Sequence, residues 1–296
     1  MGRPAIAVKV WAPQDATKPC PMIVYVPSWG GRRDENQVML AELAHNGFIV
    51  AAADDVSHDP PDPAVDAADE AVRKAPFRAF SAEDLAAFPD VSARRTKLGF
   101  EKLDRVVEAL MRLPADALPA TIDASRIGVV GFSFGGAVAA TALARDPRIA
   151  AAINLDGWLI HTAAAPGVSR PLLALYAMPD FNPRRFWTST ANFFVTKLTL
   201  EDLRAALSLQ RTSQIEVFLI AGVQHGDFSD AVYSADRWRR WRPWRTDVIR
   251  SERMREIVTA FVTPFLQQHV AGRATLGQRP SFIEVAPLEA FEARLQ

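Results

Sequence analysis

The residues best suited to chemistry lie in two short stretches. In Ile127-Gly128-Val129-Val130-Gly131-Phe132-Ser133-Phe134-Gly135-Gly136, an apolar run passes through Gly-x-Ser-x-Gly into the alanine-rich Ala137-Val138-Ala139-Ala140. A serine on such a sharp strand-to-helix turn projects its hydroxyl from the sheet edge, and the flanking glycines let backbone crowd around it. The pattern nominates Ser133 as a nucleophile. A hydroxyl attacks poorly until a base takes its proton, so a histidine must follow, with an acid to orient it.

The chain has five histidines. After an elbow of this kind the acid and then the base follow in chain order, which removes His45 and His58. His161 follows Ser133 too closely, and His269 falls on an amphipathic final helix. His225 remains, in the glycine-flanked loop Gly222-Val223-Gln224-His225-Gly226-Asp227-Phe228 just past an apolar run. Two aspartates compete for the acid: Asp156 in Asn154-Leu155-Asp156-Gly157-Trp158, and Asp180 in Met178-Pro179-Asp180. Each follows an apolar run, so the pattern does not choose between them. Asp54, Asp55, Asp227 and Asp230 read as turn or capping residues.

Attack on a carbonyl places negative charge on its oxygen, which requires donors already aimed at it. The backbone N–H of Phe134, next after the nucleophile, is one. The other is expected from Pro27-Ser28-Trp29-Gly30-Gly31, whose glycines let the amide of Trp29 or Gly30 turn toward the elbow.

Apolar runs predict strands over 6–11, 22–26, 48–53, 126–132, 150–155, 171–177 and 215–221. Helical patterning predicts helices over 34–46, 98–113, 134–145, 201–209 and 252–269. This alternation implies an α/β fold: one domain over 1–296, a mainly parallel central sheet with helices on both faces, and no internal repeat. Three segments stand outside the pattern: a Pro-, Ala- and Asp-rich excursion over 57–97, an aromatic one over 180–200, and a C-terminal extension over 271–296. The 57–97 segment is too long for an ordinary loop and is expected to be partly helical, near the ligand side. Phe181, Phe186, Trp187, Phe193 and Phe194 in the second suit an acyl-pocket wall or lid, or a cap packed on the core.

Composition narrows the function. The net charge is zero, which argues against nucleic acid as the main partner. Cys20 is the single cysteine, and no His-Glu-x-x-His occurs, so neither a disulfide framework, a metal site nor a cofactor is expected. The N-terminal residues read as a strand and not as a signal peptide, so the chain as given reads as cytoplasmic by default, or secreted or periplasmic if a signal segment has been removed. Arg237-Trp238-Arg239-Arg240-Trp241-Arg242-Pro243-Trp244-Arg245 interleaves basic and indole side chains. It suits a structural loop paired with acidic residues, or alternatively a lipid headgroup surface.

Four separated pieces, Gly47-Phe48-Ile49-Val50-Ala51-Ala52, the elbow, Leu155-Asp156-Gly157-Trp158 and His225-Gly226-Asp227-Phe228-Ser229-Asp230, together carry a family resemblance. Over roughly 21–230 the chain resembles the α/β-hydrolases similar to plasma-type platelet-activating factor acetylhydrolase, calcium-independent serine esterases. The resemblance implies an α/β-hydrolase fold with Ser133 as nucleophile, Asp156 as acid in preference to Asp180, His225 as base, and main-chain donors at Trp29 and Phe134. It further implies a cofactor-free enzyme that cleaves a small short-acyl carboxylic ester through an acyl-enzyme. Two positions depart from the family: Phe132 stands where histidine is usual, and Val26-Pro27-Ser28 where Ser-His-Gly is usual. Both touch the substrate pocket, for which Phe132, Trp158, Phe181 and Trp187 are the expected residues. Other readings of the scaffold are an amidase, a peptidase, a dienelactone-type hydrolase, or a noncatalytic ligand-binding protein.

Overall fold

The computed structural model describes residues 4–14, 16–63, 65–114, 116–181, 190–234, 249–274 and 281–296. Trp187, Phe186 and the Arg/Trp-rich segment 237–245 lie outside them.

The strands are β1 (Val8–Trp11), β2 (Cys20–Val26), β3 (Ile49–Ala53), β4 (Ile122–Phe132), β5 (Ile149–Leu155), β6 (Leu172–Ala177), β7 (Ile215–Ile220) and β8 (Val285–Pro287). They form one sheet in the order β1-β3-β2-β4-β5-β6-β7-β8. Pairing is parallel from β3 through β7, while β1 and β8 close the two edges antiparallel. Strands covered on both faces become continuous apolar runs, which is why Ile49-Val50-Ala51-Ala52-Ala53 is buried throughout. Chain order reverses at β2, which has β3 on one side and β4 on the other. In open sheets of this kind, ligands bind beyond the carboxyl ends of the strands at such a switch.

The helices are α1 (Gln37–His45), α2 (Ala67–Lys74), α3 (Ala82–Met111), α4 (Phe134–Arg145), α5 (Thr190–Gln210), α6 (Ser251–His269) and α7 (Glu292–Leu295). Successive strand residues point to opposite faces, so Met22 and Val24 pack with α3, α4 and α5, whereas Ile23 and Tyr25 pack with α1 and α6. Both faces of the sheet are therefore covered. Among the described residues, no helix is long and apolar enough to cross a membrane.

Two helices are longer than the sequence expectation and one strand is added. The helix expected over 98–113 begins at Ala82, capped by Ser81, whose hydroxyl accepts from Asp84 N at 3.1 Å. With α2, this makes the 57–97 excursion largely helical, despite Pro89 inside α3. The helix expected over 201–209 begins at Thr190. The C-terminal extension adds a strand, since β8 pairs with β7 through Ile220 and Val285.

Candidate active site

Ser133 follows β4 and stands at the N-cap position of α4 with φ 57°, ψ −122°, a conformation that costs roughly 1–3 kcal/mol for a non-glycine residue. Neighbouring bonds hold it there: Ser133 N donates to Leu155 O at 2.8 Å, and Gly136 N donates to Ser133 O at 2.9 Å. The two motif glycines are steric necessities. A Cβ at Gly131 would lie 1.9 Å from the Gly135 carbonyl oxygen, and one at Gly135 would lie 1.9 Å from that of Val26.

Asp156 follows the next strand, β5, and also takes a positive φ, 54°. Its backbone N–H donates to Leu175 O at 2.8 Å, and its Oδ1 accepts from Ala177 N at 2.8 Å, so the carboxylate is anchored to β6. The other oxygen, Oδ2, lies 2.6 Å from His225 Nδ1. On the far side of the ring, His225 Nε2 lies 2.9 Å from Ser133 Oγ. The loop bearing His225 is fixed by a capping box, in which Asp227 Oδ2 accepts from Gln224 N and Asp227 N donates to Gln224 O, both at 2.9 Å. A hydroxyl, an imidazole and a carboxylate from 92 and 69 residues apart thus form one hydrogen-bonded line.

This contact favours Asp156 over Asp180, since Asp156 is the aspartate against the ring. Three of the four excluded histidines are engaged elsewhere: His58 Nε2 meets Gly30 O at 2.8 Å, His161 packs near Phe88, and His269 packs on Phe265. Asp55, Asp227 and Asp230 serve as caps, as expected, Asp230 Oδ2 accepting from Val38 N at 3.2 Å. Asp55 does more than cap: its Oδ2 accepts Gly30 N–H at 3.0 Å. Gly30 N–H is therefore already engaged, which leaves Trp29 as the candidate donor in that turn.

The His225 side chain is exposed at the cavity mouth; the partial desolvation of its ring pulls its pKa down, but the hydrogen bond and charge of Asp156, with the charge of Glu35, outweigh it and hold the pKa above 6.5. Glu35, which the sequence reading did not single out, lies under the turn before Trp29. It accepts from Ser28 N at 2.6 Å, Ser28 Oγ at 2.7 Å and Tyr25 Oη at 2.9 Å. Its burial raises its pKa against the opposing effect of those bonds.

A cavity of about 600 Å³ opens over Ser133 and His225, with Trp29, Phe77, Phe132 and Trp158 in its apolar wall. Two expected pocket residues are thereby placed: the Phe132 ring lies 5.0 Å from that of His225, and Trp158 donates from Nε1 to Ser92 Oγ at 2.6 Å. Phe181 is a correction. Its ring stacks on Phe291 at 5.3 Å with Arg294 beyond it, so the C-terminal segment takes up its apolar face and it is not part of the cavity wall. Phe77 takes its place in the aromatic wall, and only its type could have suggested it. Polar side chains reach the cavity from α5 and β6: buried Asp202 accepts from Leu159 N at 2.6 Å, Ile160 N at 2.8 Å and Tyr176 Oη at 2.8 Å.

The family model for the dienelactone hydrolase family matches residues 6–246. The chain belongs to the dienelactone hydrolase family. This hydrolase is also similar in structure to a ferulic acid esterase from Streptomyces cinnamoneus, with 25% identity, a TM-score of 0.62, and coverage of 92% of this chain and 74% of that one. No curated protein sequence matches it. Family and neighbour agree with an α/β-hydrolase fold and with ester hydrolysis.

Proposed function

We propose that this member of the dienelactone hydrolase family is a serine esterase working through an acyl-enzyme. The observation that carries the reading is the line from Ser133 Oγ to His225 Nε2 at 2.9 Å and from His225 Nδ1 to Asp156 Oδ2 at 2.6 Å. His225 takes the proton as Ser133 Oγ attacks the ester carbonyl, and Asp156 holds the tautomer and offsets the charge of the imidazolium. The N–H groups of Phe134 and Trp29 receive the developing oxyanion, His225 returns the proton to the departing alcohol, and water then releases the acid by the same steps.

The substrate we propose is a short-acyl carboxylic ester, as in the acetylhydrolases the sequence resembles. A second reading, an ester with an aromatic group, is favoured by the rings around the 600 Å³ cavity and accords with the esterase neighbour. A dienelactone-type lactone also fits the family. The test is a chromogenic acetate assay on wild type and Ser133→Ala, with butyrate, aryl and matched amide substrates alongside. Unchanged turnover by Ser133→Ala would defeat the reading, and faster cleavage of the amides would make the enzyme an amidase.

A further inference from the structure

Beneath the two proposed oxyanion residues lies a buried ion pair with no part in the proton relay. Arg95, on α3, has no exposed surface, and its Nη2 lies 2.5 Å from Asp55 Oδ2, just past β3. Its Nη1 donates to Val72 O at 2.8 Å and Arg73 O at 2.7 Å, at the end of α2. The guanidinium lies 3.9 Å from the centre of the Trp29 ring and 5.0 Å from that of Phe134.

Trp29 is thus held from three directions. Its indole Nε1 donates to Ala75 O at 2.8 Å, its ring face lies on Arg95, and the peptide that follows it is fixed by the Gly30 N–H bond to Asp55. The Trp29 and Phe134 rings also meet edge to face at 5.7 Å. One cation therefore supports both residues whose main-chain amides would face the oxyanion.

Stability alone is a poor account of this pair. Removing two charges from water is costly, and apolar replacements of buried pairs are often neutral or stabilising. Asp55 Oδ1 and Arg95 Nε, moreover, have no hydrogen-bond partner among the described residues. What an apolar pair could not do is accept the Gly30 N–H and place a flat cation against both rings.

We infer that Asp55 and Arg95 are positioning residues for the oxyanion hole, setting the Trp29 turn against the start of α4. The inference rests on the serine-esterase reading. An oxyanion hole works only if its donors are aimed before charge develops, and loss of one donor costs about 10²–10³-fold in kcat. A donor displaced but not lost should cost less.

The decisive variant is Asp55→Asn with Arg95→Met, which removes both charges and leaves neither alone in the core. We expect kcat for the chromogenic acetate to fall about 10–100-fold with KM changed less than threefold. The inflection of the pH profile should stay near wild type, whereas the melting temperature should fall because Val72 O and Arg73 O lose their donor. A phosphonate mimic of the tetrahedral state should bind more weakly by a similar factor. Turnover within twofold of wild type, or a loss confined to KM, would overturn the inference. If circular dichroism shows the double variant unfolded, Arg95→Lys keeps the charge but not the planar contact; a tenfold loss in kcat then supports the inference and an unchanged kcat overturns it. Ser133→Ala, assayed in parallel, separates the two proposals. If that variant is inactive while the double variant turns over normally, only the positioning role falls.

Discussion

His225 Nδ1 lies 2.6 Å from Asp156 Oδ2, on the opposite side of the ring from Ser133. Partial desolvation opposes the charged ring, but Asp156 and then Glu35 raise its pKa above 6.5. The base must be neutral to take the serine proton, so kcat/KM should climb with pH through an inflection above 6.5 and then level off. Asp156→Asn should lower that inflection, as read by NMR titration of the ring, and reduce kcat on the order of 10⁴-fold. An inflection that stays in place would show that Asp156 does not set it. Because the folded pKa is raised, protonated His225 contributes stability that is fully present below its unfolded pKa and is lost as pH rises through the folded one.

Gly135→Ala probes the elbow without touching any titrating group. Its Cβ would lie 1.9 Å from Val26 O and 2.7 Å from Pro27 O, backbone atoms at the end of β2 and the start of the Trp29 turn. We expect a loss of about 3 kcal/mol in chemical denaturation, or a shift of β2 that lowers kcat at least tenfold. A variant as stable and as active as wild type would contradict the packing described.

Asp202 gives stability a pH dependence of its own. It is fully buried, and desolvation, opposed by bonds from Ile160, Leu159 and Tyr176, raises its pKa to about 6. Between the unfolded carboxyl value and about 6 the folded state binds more protons, so this group makes stability fall as pH rises through that window. The size is roughly 3 kcal/mol. Asp202→Asn should remove that fall, so its melting temperature relative to wild type should be higher at pH 7 than at pH 4. An equal difference at both pH values would rule this out.

Phe77 lines the cavity and meets Trp29 at 5.5 Å and Trp158 at 6.2 Å. If the aromatic wall holds substrate, Phe77→Ala should raise KM for aryl esters several-fold while leaving acetate within about twofold. Equal effects on both substrates would assign Phe77 to packing alone.

The site was legible where chemistry leaves a local signature. The elbow needs glycine at 131 and 135 for contacts only ångströms away, and α4 runs over Phe134–Arg145 as its alanine-rich pattern predicts. His225 emerged by elimination, but Asp156 and Asp180 stayed tied until the resemblance, because what separates them is one long-range contact. The true start of α3 is marked by Ser81-Ala82-Glu83-Asp84, a capping signature that Pro89 downstream obscured. Strand β8 is three residues long and owes its existence to the edge of β7, so no period could reveal it. Asp55 looked like a capping residue and is one; its ion pair with Arg95, forty residues on, is a property of the fold and not of either neighbourhood.

An acyl-enzyme on Ser133 can be caught by mass spectrometry of the enzyme quenched during turnover of a slowly deacylated ester. We expect one acyl group per chain, mapped to the peptide containing Ser133 and absent from Ser133→Ala, whose turnover is lost. An acyl group on another residue, or turnover that persists in Ser133→Ala, would contradict it.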